Sequence, residues 1–430
     1  MIQLIKDLYL TNRSFVTDDY DMCLDYIKKK ILPIRIHTYE SGRLIWDSWQ
    51  VPQKWIIDEA VIKDEDRVLL NIEDHPLHLI AYSASFQGEI STAELKKHIF
   101  THSKNKDAIP WHFRQNYRPW EQNWGFCASK RFVEQLKKDK YYVSIKTQLK
   151  DDFMKVGEYH IEGDKKQTIV LIAHLCHSGM ANDDLAGVAA GLEIMKRLEK
   201  KKKLKYSYKL LIVQEMIGTA AYLEQRAIND MEYGIFLEMP GNNNRLAVQK
   251  SYSGDTLVDR IAQHQLKQMH EDGEIFEFRE LVQNDEMIME SPGYEIPTIS
   301  LSRYPYDEYH TQFDNPDIIS EKKMEDFVNF VLKIISIFET NFIPKRTFTG
   351  LPSLANPKYD LYIDPGQEAL DKANFDVNPN LVKFRDYIFR MLDGTHSAFD
   401  IAERFELDYN FVHNYLGRFY EKGLIERIQI

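Results

Sequence analysis

The stretch IVLIAHLCHSGMANDDLAG, residues 169–187, runs from an apolar segment through His174, Cys176, His177 and Asp183 into a helix-forming run. Side chains of these types hold metal ions, and here they gather where a strand gives way to a helix. In an open α/β sheet, ligands bind at the carboxyl ends of the strands. Three further predicted strand ends carry groups of the same kind: Glu215 after YKLLIVQ, Glu238 after YGIFL, and His310 beyond IPTISLSR. A catalytic zinc takes His nitrogen and carboxylate oxygen ligands and keeps one position for water, whose pKa falls toward neutrality. A separate carboxylate then accepts that water's proton as it attacks a carbonyl, and Glu215 is the candidate base. Taken singly, each of these residues reads as a surface or capping group. Their convergence on four strand ends is what points to a site.

The elements that must position them follow from hydrophobic patterning. TIVLIAH, YKLLIV and YGIFL are nearly continuous apolar runs, as strands buried on both faces require. Between and after them come helical patterns, with Leu185, Val188, Leu192 and Met195 on one face and MEDFVNFVLKIISIF near the end of the series. This alternation predicts a doubly wound α/β domain. The KKKK run at 200–203 reads as cations at a helix C-terminus and a solvated loop in preference to a nucleic-acid patch.

Flanking segments have a different texture. Residues 1–37 read as helix-rich, with Met22, Leu24, Ile27 and Ile31 at helical spacing. From residue 38 to 128, short β-branched and aromatic runs alternate with turn residues, predicting a small β-rich domain with Trp46, Trp49 and Trp55 in its core. STAE, residues 91–94, has the form of a capping box. Five prolines between Pro344 and Pro379 mark an extended linker, 346–379, and residues 380–430 read as three helices and a terminal strand. That last layout matches a winged helix-turn-helix with Tyr409 to Lys422 in the recognition-helix place. The expected catalytic domain is therefore 1–37 joined to 129–345.

Composition sets the limits. With 43% hydrophobic and 12% aromatic residues the 430-residue chain can bury sizeable cores, and it is not of the disordered class. A formal net charge of −11 argues against broad binding to nucleic acid or an anionic membrane. No segment has the length of a membrane span, and the N-terminus lacks a signal-peptide pattern. Three sparse cysteines, Cys23, Cys127 and Cys176, suit a reducing cytoplasm better than a disulfide framework.

AHLCHSGMANDDLAG, QEMIGTAAYL, FLEMPG and YHTQFDNPD occur in an order that resembles the zinc aminopeptidases of the bacterial leucyl aminopeptidase and glutamate carboxypeptidase type. SGRLIWDSWQVPQKWIIDEAVI, NWGFCAS, NDEMIMESPGYEIP and SRYPYDEYHT resemble more closely the bacterial aminopeptidase-like proteins that carry an inserted β-rich domain and a C-terminal winged helix. The resemblance spans essentially the whole chain. It implies a metal-bridging role for Asp183, a general base in Glu215, an acidic ligand of the first metal in Glu238 and a ligand of the second in His310. Asp285 falls on an aspartate that helps shape the site, with Glu286 beside it.

Two departures modify what the resemblance implies. Met216 stands where a second, metal-binding Glu would follow the base, which predicts a single zinc or other divalent ion in place of two. Cys176 stands where an Asp would orient the ligand His from behind, so either His174 keeps the ligand role without its orienter or His177 takes it; the reading favours His177. As a nucleophile, Cys176 would need a base and an oxyanion hole, and an adjacent His rarely has the geometry. It remains a site-shaping candidate.

WHFRQNYRPWEQNWGF, with Arg114, Tyr117, Arg118, Trp120 and Trp124, reads either as a packed domain junction or as a wall of the substrate cleft in which an Arg pairs a carboxylate. Arg114, Arg118 and Tyr309 are the substrate-binding candidates. The predicted recognition helix offers Asn410, His413, Asn414, Arg418 and Lys422 but little net positive charge, so a protein-contacting module is favoured over a DNA reader. A homo-oligomer in which it covers a partner's site stays open. Together these readings give a metal-dependent, aminopeptidase-like hydrolase of peptide or amide bonds. The alternative is a degenerate hydrolase fold that serves as a scaffold or regulator.

Overall fold

The computed structural model describes residues 1–225, 230–363 and 379–430. The chain divides into two compact units, Met1–Asp259 with Asp272–Asn329, and Arg260–Glu271 with Phe330–Ile430.

In the first unit an eight-stranded mixed sheet runs in the order Arg35–Glu40, Phe153–Ile161, Ser207–Val213, Thr168–His174, Met231–Leu237, Thr298–Tyr304, Arg245–Gln249 and Glu274–Phe276. Four adjacent strands at its centre, from Ser207–Val213 to Thr298–Tyr304, are mutually parallel. Their carboxyl ends therefore face one edge, where His174, Glu215 and Glu238 stand at or just past the strand ends. Every residue of Thr168–His174 is buried, as a strand covered on both faces needs. The helix Gly187–Glu199 buries Val188, Leu192 and Met195 on the predicted face and carries Lys196 and Arg197 in its last turn, where cations complement the helix dipole. Lys200 to Lys203 are exposed, and Lys203 pairs with Asp164 at 2.9 Å, so the lysine run is a solvated face.

A second, antiparallel sheet of the same unit has the order Arg67–Asn71, Lys54–Asp64, Lys140–Lys150 and Phe86–Ser91. Lys140–Lys150 thus pairs here, beyond residue 128, and the chain then enters the large sheet at Phe153. Of the three tryptophans expected in this core, only Trp55 is buried there. Trp46 and Trp49 are half-buried, because the chain around them forms a two-residue ribbon outside the sheet, and the Trp46 indole donates to the Tyr294 hydroxyl at 2.9 Å. Ser91 caps Thr92–Leu95 by accepting from the Glu94 N–H. Near the N-terminus, helix Asp18–Lys30 buries Tyr20, Cys23, Leu24 and Ile27, whereas Met22 is exposed. The buried stripe runs through Tyr20 and Cys23 where the apolar spacing had placed Met22, and Ile31, at the C-cap, is half-buried.

The second unit contains helices Pro379–Met391, Ala398–Arg404 and Tyr409–Glu421 and an antiparallel ribbon of Phe342–Arg346 with Ile425–Gln429. Ser397 and Asp400 form a reciprocal capping box, and Arg260 pairs with both Asp400 and Glu403. Of the expected linker, residues 347–363 form neither helix nor strand, but Leu354 and Leu361 are buried and the Leu361 carbonyl accepts from the Tyr415 hydroxyl at 2.8 Å. Residues 364–378 of it lie outside the described residues.

One glycine is required by close approach. A methyl group on Gly187 would run into both carboxylate oxygens of Asp184 and the carbonyl of Leu237, which are part of the framework at the strand ends. Gly187→Ala is expected to lower the unfolding midpoint, at a cost of about 1–3 kcal/mol from overpacking, and thermal denaturation of the purified variant checks it.

Candidate metal centre

The cluster forms where the strand Thr168–His174 runs into a wide turn, Asn182–Ala186, before its helix. Two adjacent acids in that turn have opposite jobs. Asp184 accepts backbone N–H groups from His174 at 3.3 Å, Gly187 at 3.0 Å and Met239 at 3.0 Å, so it ties two strand ends to the helix start. Asp183 is 1% exposed, and neither of its oxygens accepts a hydrogen bond. What surrounds it is imidazole. Nε2 of His174 stands 3.3 Å from Oδ1, while Nε2 of His310 and of His177 stand 3.2 Å and 3.8 Å from Oδ2. Burial would raise the Asp183 carboxyl, but the His177, His310 and His174 rings outweigh it and hold the group below the ordinary carboxylate range.

Asp314 fixes the turn from outside. Its carboxylate accepts the N–H groups of Ala181 at 3.2 Å, Asn182 at 2.6 Å and Asp183 at 2.9 Å. On the other side the guanidinium of Arg13, fully buried, donates to the carbonyls of Leu175 at 2.9 Å, Met180 at 2.9 Å and His177. Five donors in a rigid fork suit this task, which a lysine ammonium cannot match. Arg13 and Asp314 lie far from the cluster in sequence. An Arg in the apolar context NRSFV was the only local sign of the first, and DNPD of the second.

Glu238 places Oε2 3.1 Å from Nε2 of His174, so His174, Asp183 and Glu238 form one group of ligand type. His177, Asp183 and His310 form another. Burial pushes the Glu238 carboxyl up. Burial alone would push His174 down, yet the Glu238 charge raises it well above an ordinary imidazole, whereas burial holds His177 well below. Cys176 packs behind this pair: its Sγ is 3.5 Å from Nδ1 of His177 and accepts the Glu215 N–H at 3.2 Å, and burial lifts its thiol to about 11. Its sulfur also lies within ligand spacing of His174 and His177.

Glu215 sits at the mouth, its Oε2 3.7 Å from Nε2 of His177 and 2.6 Å from the Tyr117 hydroxyl that donates to it. The Asn284 amide, turned with its nitrogen toward Glu215, donates to Oε1. Burial raises the Glu215 carboxyl, which keeps it basic for a carboxylate. Asp285 supports the turn by accepting the Met216 N–H at 3.0 Å, where Met216 has a left-handed φ of 61°. Glu286 is buried and accepts from the Asn284 N–H at 2.9 Å, and burial pushes both acids up to about 7.

A cavity of about 680 Å³ opens over Glu215, Glu238 and His310, walled by Trp49, Phe113, Tyr117, Trp120, Tyr306 and Tyr309. Tyr309 stacks on His310 with ring centroids 3.6 Å apart. Arg114 and Arg118 do not line it; both turn to Glu121 on the surface, at 3.3 Å and 2.9 Å. The sequence reading did not single out Trp111, whose buried ring lies 4.1 Å from that of His177 and 4.8 Å from that of His310 and covers them from water. Each expected ligand is thus brought to one place, and of the expected substrate-binding residues only Tyr309 reaches the cavity.

The sequence model of the family described as a domain of unknown function, DUF4910, matches residues 2–341. A Clostridium acetobutylicum protein named for polysaccharide biosynthesis and an aminopeptidase-like domain is 29% identical over 435 residues, covering 99% of this chain and 95% of that one. The crystal structure of a protein from the same organism, named as a peptidase, is 27% identical with a TM-score of 0.87 over 99% of this chain and 96% of that one. A zinc aminopeptidase from Bacillus subtilis, at 13% identity and a TM-score of 0.55 over 78% and 93% of the two chains, shares the fold.

Replacing Arg13 tests how the loop is held. Arg13→Met strands at least three buried carbonyls and is expected to cost about 1–3 kcal/mol for each group left unpaired, and to weaken metal binding about 10–100-fold, as loss of outer support typically does. Arg13→Lys should not restore either. Thermal unfolding and chelator competition read the two effects.

Proposed function

We propose that this chain, which belongs to the family described as domain of unknown function DUF4910, is a metal-dependent hydrolase of peptide or amide bonds that works in the aminopeptidase manner. The observation that carries the reading is the carboxylate of Asp183, buried without a hydrogen-bond donor and faced by three imidazoles. A fold retains such a group when a cation compensates it. The donor set of three histidines and two carboxylates fits a borderline ion, zinc above all, and fits neither calcium nor magnesium, which prefer all-oxygen cages. His174, His177, Asp183, Glu238 and His310 would hold it. A divalent ion in that place lowers the pKa of water and polarises a carbonyl oxygen.

The chain's own residues supply the rest. Glu215 takes the proton of the attacking water and passes it to the departing nitrogen, as a buried carboxylate with a raised pKa is suited to do. Tyr117 and Asn284 aim it by their hydrogen bonds to its two oxygens. Aromatic walls bind the substrate's apolar surface and exclude water. Among the described lining residues there is no Lys or Arg, so the cavity suits a neutral or cationic group next to the scissile bond better than a carboxylate. Peptides fit that description, and so does an amide of a modified sugar or amino acid. The latter agrees with the relative named for polysaccharide biosynthesis.

The small sheet and its loops, from residue 38, are an inserted domain that lends the cavity Trp49, Phe113, Tyr117 and Trp120. The C-terminal helices and ribbon are a winged helix that contacts a partner protein in preference to DNA. No helix among the described residues is long and apolar enough to cross a membrane. Cys23, Cys127 and Cys176 are all unpaired and buried, in keeping with a cytoplasmic setting.

Glu215→Gln is expected to reduce turnover of a responsive amide substrate by about 10²–10⁴-fold while the bound metal stays unchanged; full activity in that variant contradicts the mechanism. Exhaustive dialysis against a chelator should likewise stop release of free amino groups, and added zinc should restore it.

A further inference from the structure

We propose that the amide taken by the cavity is carried by a neutral sugar: the ring of an N-acylated amino sugar stacks on Trp120 and Trp49 and presents its amide to Glu215. The inference rests on the metal-hydrolase reading above and narrows it from amides in general to one class of substrate.

Charge makes the first selection. Among the described lining residues the carboxylates are Glu215 and Glu238, which that reading gives to the base and the metal, and there is no Lys or Arg. Met216 stands on the wall where the resemblance places a further acid. No lining carboxylate or cation is left to pair the ammonium or the carboxylate of a short peptide, and a charge enclosed without a partner is strongly disfavoured. The uncharged side chains of Ser48, Gln50 and Gln283 line the cavity instead. Hydroxyl and amide groups that both donate and accept match sugar hydroxyls, which do the same.

The aromatic groups make the second selection. Trp120 is 64% exposed, on a loop braced from beneath. The buried Gln115 amide donates to the carbonyls of Tyr82 at 3.3 Å and Asn123 at 2.9 Å, and Glu121 pairs with both Arg114 and Arg118. Trp49 sits on a ribbon pinned by Glu224, whose carboxylate accepts from the Trp46 N–H at 2.6 Å and the Arg43 guanidinium at 2.7 Å. Its indole meets the Tyr117 ring edge to face with centroids 6.4 Å apart, and Tyr117 donates to Glu215. A ring lying on Trp49 is therefore one side chain away from the base. The Tyr306 hydroxyl is engaged by the Leu281 carbonyl at 2.9 Å, so Tyr306 offers the cavity its ring. Exposed aromatic rings gathered on one cavity mark a ligand surface. The C–H bonds on one face of a pyranose carry partial positive charge and meet the negative face of an indole, and a rigidly presented platform lowers the entropy cost of binding.

The reaction balances with water alone. The water oxygen bonds to the amide carbon, the C–N bond breaks, Glu215 passes the water's proton to the nitrogen, and a carboxylic acid and a free amino sugar leave.

The test compares substrates on the zinc-loaded full chain. A panel of N-acetylated amino hexoses is set beside the dipeptides leucyl-glycine and alanyl-alanine, with release of free amine as the readout. At least one sugar should have a higher kcat/KM than either dipeptide, and Trp120→Ala should raise its KM about 2–10-fold with kcat little changed. A dipeptide turned over better than every sugar, or an unchanged KM in Trp120→Ala, overturns the inference and leaves the hydrolase reading standing. Binding is read separately in zinc-loaded Glu215→Gln by saturation-transfer NMR, which should reach the ring protons of a panel sugar. No transfer to any of them also overturns the inference, whereas transfer without hydrolysis by wild type overturns the hydrolase reading instead.

Discussion

An ionised carboxylate buried without a hydrogen-bond donor is unfavourable by several kcal/mol or more unless a positive charge compensates it, and the first unit is organised around keeping one. Asp183 occupies that position. The constraint explains its neighbours. Asp314 gathers three consecutive N–H groups of the turn, Asp184 binds the strand ends and the helix start together, and Arg13 clamps the carbonyls of the preceding loop. None of these needs to touch a substrate. Each removes a way for Asp183 to swing out and hydrate.

The same constraint connects sheet to chemistry. Four parallel strands deliver their carboxyl ends to one edge, so His174, Glu215, Glu238 and the loop leading to His310 start within reach of one another before any side chain is placed. Parallel order requires helical crossovers, and the long apolar helix faces that cover the sheet make the strands uniformly apolar. The site's polar residues are then confined to the few positions just past the strand ends, where the apolar runs stop.

That confinement is why the centre was legible in the sequence. An apolar run ending abruptly in His or Glu marks both the strand and the edge at which the cluster forms, and it pointed to residues that the fold brings together. Other features were not legible because their causes are distant in the chain. Arg13 acts 162 residues away on Leu175, and Tyr117 acts 98 residues away on Glu215. Nothing in the local pattern of either says so. Trp46 and Trp49 resembled core residues by type and left the small sheet through a short ribbon that only the folded chain reveals. Arg114 and Arg118 had the right charge for a substrate carboxylate and were diverted by Glu121, three residues from one of them and seven from the other.

In the proposed function Asp183 would be held ionised to bind a metal. Elemental mass spectrometry of tag-free wild type and of Asp183→Asn, which preserves the shape and removes the charge, tests it most directly. Stoichiometric transition metal is expected in the wild type and almost none in the variant, with both proteins folded. Equal metal in the two, or a wild type that stays metal-free after zinc, manganese and iron are each supplied, would contradict it.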